Sequence, residues 1–164
     1  MIVLGVDAGS LSTGYGAVEG RGSQHRALEF GAIRNPAQRG HADRLAVIYH
    51  RIREVIRRVR PDLLAMEEVF MAKNPQSALK LGQVRGAVMV AAVEEGLPVA
   101  EFSALEIKSA VTGYGHAEKE QVQFMVKTIL GLPRVAQPHD ASDALAVALC
   151  ALQHSGWAKK VAAP

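Results

Sequence analysis

Ile2-Val3-Leu4-Gly5-Val6-Asp7-Ala8-Gly9 is the stretch that decides the fold, and Thr13-Gly14-Tyr15-Gly16 follows it after three residues. The pattern predicts a short buried strand, a glycine turn and a second strand. Asp7 is the single carboxylate in this apolar setting. Because an ionised carboxylate is costly to bury without a partner, Asp7 must be solvated, capped by backbone amides or neutralised by a cation. The stretch alone leaves two interpretations open: an Asx-type turn near Gly9, or a metal-binding aspartate at the end of the first strand.

The size and composition favour one folded domain. The chain has 164 residues, of which 49% are hydrophobic and 5% aromatic, so disorder is not expected. The longest nearly apolar run, about Gly86–Val93, is too short to cross a bilayer. The N-terminus lacks signal-peptide features and Cys150 is the only cysteine, which together predict a cytoplasmic protein. We expect the domain to span residues 1–154, with a flexible tail over residues 155–164.

Hydrophobic periodicity predicts the element order β-β-β-α-β-α-β-α-α-α. The predicted strands are Ile2–Asp7, about Thr13–Glu19, about Arg26–Arg34, Leu63–Glu68 and Val99–Phe102. The predicted helices are His41–Arg60, Gln76–Glu95, Ser103–Val111, Glu118–Leu130 and His139–Gln153. Three antiparallel strands, two parallel strands and flanking helices match an α/β fold of the ribonuclease H-like type, with a five-stranded mixed sheet. The helix Gln76–Glu95 is apolar on several sides, which is typical of a central helix or a subunit interface.

Charge is concentrated in one segment. The net charge is +3, and seven arginines lie between Arg39 and Arg60 against Asp43 and Glu54. Two interpretations stay open: a solvated helix face, or a surface for a polyanionic partner.

Several carboxylates stand where the predicted elements end. Glu67 and Glu68 close the fourth strand, and the alternation of strand side chains lets only one of them share a face with Asp7. Asp140 and Asp143 lie three apart, on one face of the last helix. Their alternative role is capping, with Asp140 as the cap residue. His139 is either a surface residue or a group that orients water or joins a metal shell.

If the last helix packs beside the first and fourth strands, the three carboxylate groups converge. Close anions repel each other, and Mg²⁺ or Mn²⁺ bound through oxygen would relieve the repulsion. Two such ions about 4 Å apart suit phosphodiester hydrolysis, because one activates water and the other stabilises the leaving oxygen.

Several motifs, in order, resemble the RuvC family of bacterial Holliday junction resolvases. They are Asp7-Ala8-Gly9-Ser10 with Thr13-Gly14-Tyr15-Gly16, then Met66-Glu67-Glu68-Val69-Phe70-Met71-Ala72-Lys73-Asn74, then Ser77 to Gly86, then Ala117-Glu118-Lys119, and last Asp140-Ala141-Ser142-Asp143-Ala144-Leu145-Ala146. The resemblance covers nearly the whole chain up to about Cys150.

The resemblance implies a homodimeric, Mg²⁺- or Mn²⁺-dependent endonuclease with two ions per active site. Such an enzyme makes paired nicks at four-way DNA junctions, prefers short thymine-containing sequences and leaves 5′-phosphate and 3′-hydroxyl ends. Its expected partners are junction DNA and the RuvA–RuvB branch-migration complex.

The resemblance also assigns residues. The implied catalytic and metal-binding set is Asp7, Glu67, Asp140 and Asp143, with His139 as a further candidate ligand because some relatives place histidine at the first acidic position of the last helix. The implied DNA-binding set is Phe70, Lys73, Lys80, Arg85, Lys108 and Lys119, in which Phe70 would stack on unpaired bases and the last two lysines would lie near the scissile phosphate.

Three other functions fit parts of the pattern. A scaffold that binds junctions without cutting them would share the fold, and so would a YqgF-type RNA-processing nuclease. An actin-like sugar kinase also carries Asp-x-Gly in its phosphate loop, but it needs two similar domains and 164 residues are too few.

Overall fold

The computed structural model describes residues 1–69 and 74–154, and its described elements form one five-stranded sheet flanked by helices. The strands are β1 (Ile2–Asp7), β2 (Ser12–Arg21), β3 (Gln24–Arg34), β4 (Leu63–Glu67) and β5 (Val99–Phe102). The helices are α1 (His41–Val59), α2 (Pro75–Glu94), α3 (Ala104–Thr112), α4 (Lys119–Ile129) and α5 (His139–Gln153). The predicted order of elements and the predicted ribonuclease H-like fold are confirmed.

The sheet has the strand order β3-β2-β1-β4-β5. β1, β2 and β3 pair antiparallel, whereas β1–β4 and β4–β5 are parallel. The β2–β3 hairpin is tighter than predicted, because β2 runs to Arg21 and β3 starts at Gln24, which leaves Gly22 and Ser23 as the turn. Gly22 has φ +60°, a conformation that glycine adopts without strain.

The two faces of the sheet are covered by different helices. α1 and α2 pack on the face that carries Leu4, Val6 and Met66, as expected for crossover helices between parallel strands. α3, α4 and α5 cover the other face, where Val3 and Ala65 are buried. Cys150 is buried in α5 and belongs to the core on this face.

Helix α5 lies unusually close to the sheet, because glycines of β1 and β2 form its contact surface. A Cβ atom at Gly5 would collide with the backbone of Ala144, and one at Gly16 would lie 2.7 Å from Cγ of Leu145. At Gly14 it would collide with the backbone of Asp140. The missing side chains therefore let the start of α5 rest directly on the end of β1 and the beginning of β2.

None of the helices in residues 1–69 and 74–154 has the length and apolarity that a bilayer crossing requires.

Candidate active site

Two carboxylates are placed by parallel strands. Val6 of β1 pairs with Met66 of β4, so Asp7 and Glu67 are the next residues of neighbouring strands and stand at the same edge of the sheet. The residues two positions earlier, Gly5 and Ala65, pair on the face that α5 covers. Because side chains alternate along a strand, Asp7 and Glu67 project toward that face. Glu68, the next residue, is not on the same face as Glu67.

Two further carboxylates come from the first turn of α5. Asp7 pairs with Gly14 across β1 and β2, and Gly14 contacts the backbone of Asp140. The glycine contact thus brings the start of α5 beside Asp7. One oxygen from each of Asp7, Asp140 and Asp143 lies within 4.8 Å of the others. The capping role considered for Asp140 is wrong, because the cap residue of α5 is Pro138 and no side chain caps this helix.

The electrostatics of Asp7 show the cost of this arrangement. Burial, followed by the charges of Asp143, Asp140 and Glu67, raises the pKa of Asp7 from 3.8 to about 7, although Lys119 opposes the rise. Burial and the charge of Asp143 also raise the pKa of Glu67. A cation among these oxygens would offset the repulsion between carboxylates that helps to raise the pKa values of Asp7 and Glu67.

Two lysines line the same cleft. Lys119 begins α4, and its Nζ donates to Oδ2 of Asp143 at 2.8 Å. This bond to the carboxylate raises the pKa of Lys119, so the amine stays protonated. Lys108 of α3 lines a cleft of about 250 Å³ together with Glu67, Lys119 and Asp143. The cleft therefore places two cationic groups beside the carboxylates.

The sequence profile described as "Crossover junction endodeoxyribonuclease RuvC" matches residues 3–151, which is most of the chain. This chain belongs to the RuvC family. A RuvC from Geobacter sulfurreducens is 56% identical over 150 residues, covering 92% of this chain and 91% of that protein. A RuvC from Moorella thermoacetica is 49% identical over 160 residues, covering 98% and 96%. The structure of Thermus thermophilus RuvC in complex with Holliday junction substrate has a TM-score of 0.88 and 39% identity, and the match covers 92% of both chains.

The other residues that the RuvC resemblance implies do not belong to the carboxylate cluster. Arg85 is partly buried, donates to the carbonyl oxygen of Glu67 and pairs with Glu101, so it supports the end of β4. Lys80 is exposed on α2. His139 is exposed at the start of α5, and the described carboxylate cluster does not include it. Phe70 and Lys73 lie outside the described residues.

Ser12 is a member of the site that the sequence analysis missed. Its hydroxyl donates to Oδ2 of Asp140 at 2.5 Å and so fixes the orientation of that carboxylate. No sequence pattern links a strand serine to an aspartate 128 residues later. Gly14 and Gly16 lie on one face of β2, and glycines in such a pattern indicate that another element approaches closely. This pattern could have predicted that a helix packs against the beginning of β2.

Proposed function

We propose that this chain is a Holliday junction resolvase that nicks opposing strands of four-way DNA and leaves 5′-phosphate and 3′-hydroxyl ends. The observation that carries the proposal is the convergence of Asp7, Asp140 and Asp143 from distant elements of a RuvC-family fold. The junction present in the Thermus thermophilus RuvC structure supports the choice of substrate.

The donor chemistry of the site fits divalent metal ions. All candidate ligands, Asp7, Glu67, Asp140 and Asp143, offer carboxylate oxygens, which Mg²⁺ and Mn²⁺ prefer. Burial and the neighbouring carboxylates raise the pKa of Asp7 to about 7, so the ionised cluster is costly without a bound cation. When bound, two such ions would activate the attacking water and stabilise the leaving oxygen.

The residues of the chain supply positioning and charge. Asp7 is fixed at the end of β1, and Ser12 holds Asp140 by a hydrogen bond. Lys119, protonated and bonded to Asp143, lies where it can donate to a phosphate oxygen as charge builds on the phosphodiester. Lys108, which lines the same cleft, contributes a second positive charge.

Junction contacts extend beyond the cleft in this proposal. Lys73 and Lys80 would contact backbone phosphates, and Phe70 would stack on unpaired bases at the junction core, a contact worth about 1–3 kcal/mol per base. The guanidinium of Arg85 is already bonded to Glu67 and Glu101. Arg85 would therefore affect DNA binding indirectly, by holding the end of β4 in place.

The proposed enzyme is a homodimer that uses α2. Leu79, Val90 and Val93 are exposed by 70%, 52% and 68%. Gly82 and Gly86 lie on the same face, and a Cβ atom at either position would meet nothing within 4 Å. A second copy of the helix could therefore approach closely, and a two-fold axis would direct two active sites at opposing strands. Cytoplasmic location and cooperation with RuvA–RuvB belong to the same proposal.

The test is cleavage of a labelled four-way junction with Mg²⁺ or Mn²⁺, beside a linear duplex of the same arm sequence. We expect symmetric nicks in the junction alone, with ends that a ligase can seal. Asp7→Asn should bind the junction without cutting it. Binding without cleavage by both proteins would instead identify a junction scaffold, and cleavage of RNA in preference to junction DNA would favour a YqgF-like activity.

A further inference from the structure

The arginines of the basic segment, residues 39–60, differ in their partners. Those in the second half of α1 form ion pairs with carboxylates: Arg51 with Glu54 at 2.8 Å, Arg53 with Glu95 at 2.6 Å, Arg57 with Glu95 at 2.8 Å, and Arg58 with Glu29 at 2.5 Å. These pairs offset the positive charge and tie α1 to α2 and β3. Most of the helix face is therefore not a strong attractor for a polyanion.

Arg39 and Arg44 bind neutral oxygens instead. Nη1 of Arg44 donates to Oγ of Ser10 at 3.2 Å, and its Nη2 donates to the carbonyl oxygen of Ala37 at 2.5 Å. Nη1 of Arg39 donates to Oδ1 of Asn35 at 2.7 Å. Among residues 1–69 and 74–154, neither guanidinium forms an ion pair. Their positive charges are thus held in place without being neutralised.

Arg44 bonds directly to the loop that joins Asp7 to Ser12, and Arg39 is linked to it through Asn35. Arg44 binds the side chain of Ser10, and the amide of Asn35 donates to the backbone oxygen of Ser10 at 3.3 Å. The backbone of Asn35 also bonds to the oxygen of Leu11 at 2.9 Å. This loop follows one proposed metal ligand and ends at Ser12, the serine that holds another. Both positive charges are therefore bonded to residues that connect directly to the carboxylate cluster.

We propose that Arg39 and Arg44 form a phosphodiester-binding site that holds the DNA backbone beside the scissile phosphate. The inference rests on the proposed function, since it takes DNA as the substrate. A guanidinium matches the fork geometry of phosphate oxygens, and one already ordered by neutral acceptors loses less side-chain freedom on binding. The site adds sequence-independent affinity and fixes the register of the strand that enters the cleft.

The experiment measures junction binding as a function of NaCl, by fluorescence anisotropy with EDTA to prevent cleavage. The variants are Arg39→Gln, Arg44→Gln and Arg44→Lys, with Arg58→Gln as the matched control. Arg58 lies on the same helix, about 21 Å from Arg44 along the axis at 1.5 Å per residue. Its loss changes the net charge equally but removes an arginine already paired with Glu29.

Each glutamine variant at Arg39 or Arg44 should reduce the slope of log K against log[NaCl] by about 1, which corresponds to about fivefold weaker binding at 0.15 M salt. Arg58→Gln should keep the wild-type slope. Arg44→Lys should also keep it, because the charge remains although the paired bonds to Ser10 and Ala37 do not.

An unchanged slope in both Arg39→Gln and Arg44→Gln would overturn the inference, and so would an equal loss in Arg58→Gln. A loss in Arg44→Lys as large as in Arg44→Gln would also overturn it, by showing that the arginine only braces the loop. Binding and cleavage of the same junction by the wild-type protein test the proposed function separately, so the two failures are distinguishable.

Discussion

At the scale of single residues, Asp7 couples the site to the stability of the fold. Its pKa is about 7 in the folded protein, against 3.8 for an ordinary aspartate, because of burial and neighbouring carboxylates. Between these values the folded state holds a proton that the unfolded state has released. The contribution of Asp7 to the free energy of unfolding of the metal-free protein must therefore fall as pH rises from about 4 through 7.

Asp7→Asn should remove this component of the pH dependence. Relative to the variant, the wild-type protein should lose up to about 4 kcal/mol between pH 4 and pH 8, measured by urea unfolding in EDTA. The Asn variant should then be the more stable protein at pH 8. Adding Mg²⁺ at pH 8 should stabilise the wild-type protein far more than the variant. Parallel pH profiles for the two proteins would contradict the assignment.

Ser12 acts on the site through Asp140. Ser12→Ala would leave one oxygen of that carboxylate without its donor and free to rotate, so Mn²⁺ affinity should fall about tenfold. Ser12→Thr keeps the hydroxyl and should stay near wild type. Electron paramagnetic resonance of free Mn²⁺ gives the affinity without any assay of activity. Equal Mn²⁺ affinity in the alanine variant and the wild type would show that the hydrogen bond does not orient a ligand.

At the scale of elements, periodicity predicted each strand and helix that the structure describes, with ends displaced by at most two residues. It worked because strands and helices bury their apolar residues at different spacings. It could not identify which helix covers the strand glycines. An apolar pattern reports that a face is buried, and the covering element is decided by shape, here by the absence of side chains at Gly5, Gly14 and Gly16.

The packing of α5 against those glycines predicts that a side chain at one of them would displace the helix. Gly14→Ala would force a Cβ atom into the backbone of Asp140, which cannot rotate away. We expect a loss of about 3 kcal/mol in the free energy of unfolding. Junction cleavage should fall about 100-fold under conditions where the variant is folded, because the start of α5 moves away from Asp7.

Gly82→Ala is the matched control for this prediction. The new methyl group meets no atom of its own chain, and alanine in a helix interior is worth up to about 1 kcal/mol over glycine. Because Gly82 lies on the proposed dimer face, stability is measured with the protein dilute enough to be monomeric, where the control should be as stable as the wild type or more so. Similar losses in the two variants would contradict a role for glycine in the packing of α5.

At the scale of the whole molecule, the sequence located the acidic residues of the site but not the partners of its charged groups. Because parallel strands end at one edge of a sheet, the pattern predicted that Asp7 lies beside Glu67 or Glu68, and the RuvC resemblance selected Glu67. The division of the arginines into paired and unpaired groups could not be foreseen, because Glu29 and Glu95 lie far from α1 in sequence. The bonds of Arg85 to Glu67 and Glu101 could not be foreseen either, since they depend on the folded chain.

Dimerisation through α2 is the prediction that belongs to the whole molecule. Val90→Glu would place a charge on the exposed apolar face, which should convert a dimer into a monomer at micromolar concentration in sedimentation velocity. Phe124→Glu on α4 is the control, because Phe124 is similarly exposed, at 60%, but lies on another helix. A wild-type protein that sediments as a monomer would contradict the assignment of this face.

The consequence for catalysis follows from geometry. A dimer holds two carboxylate clusters on one junction, so the second nick is made before the DNA dissociates, and a supercoiled plasmid with an extruded cruciform should become linear. A monomer has one cluster and loses the first product to solvent, so Val90→Glu should yield mostly nicked circles, whereas Phe124→Glu should still give linear plasmid. Because the carboxylate cluster of each protomer is built within its own chain, the total number of nicks per active site should fall much less than the fraction of linear product.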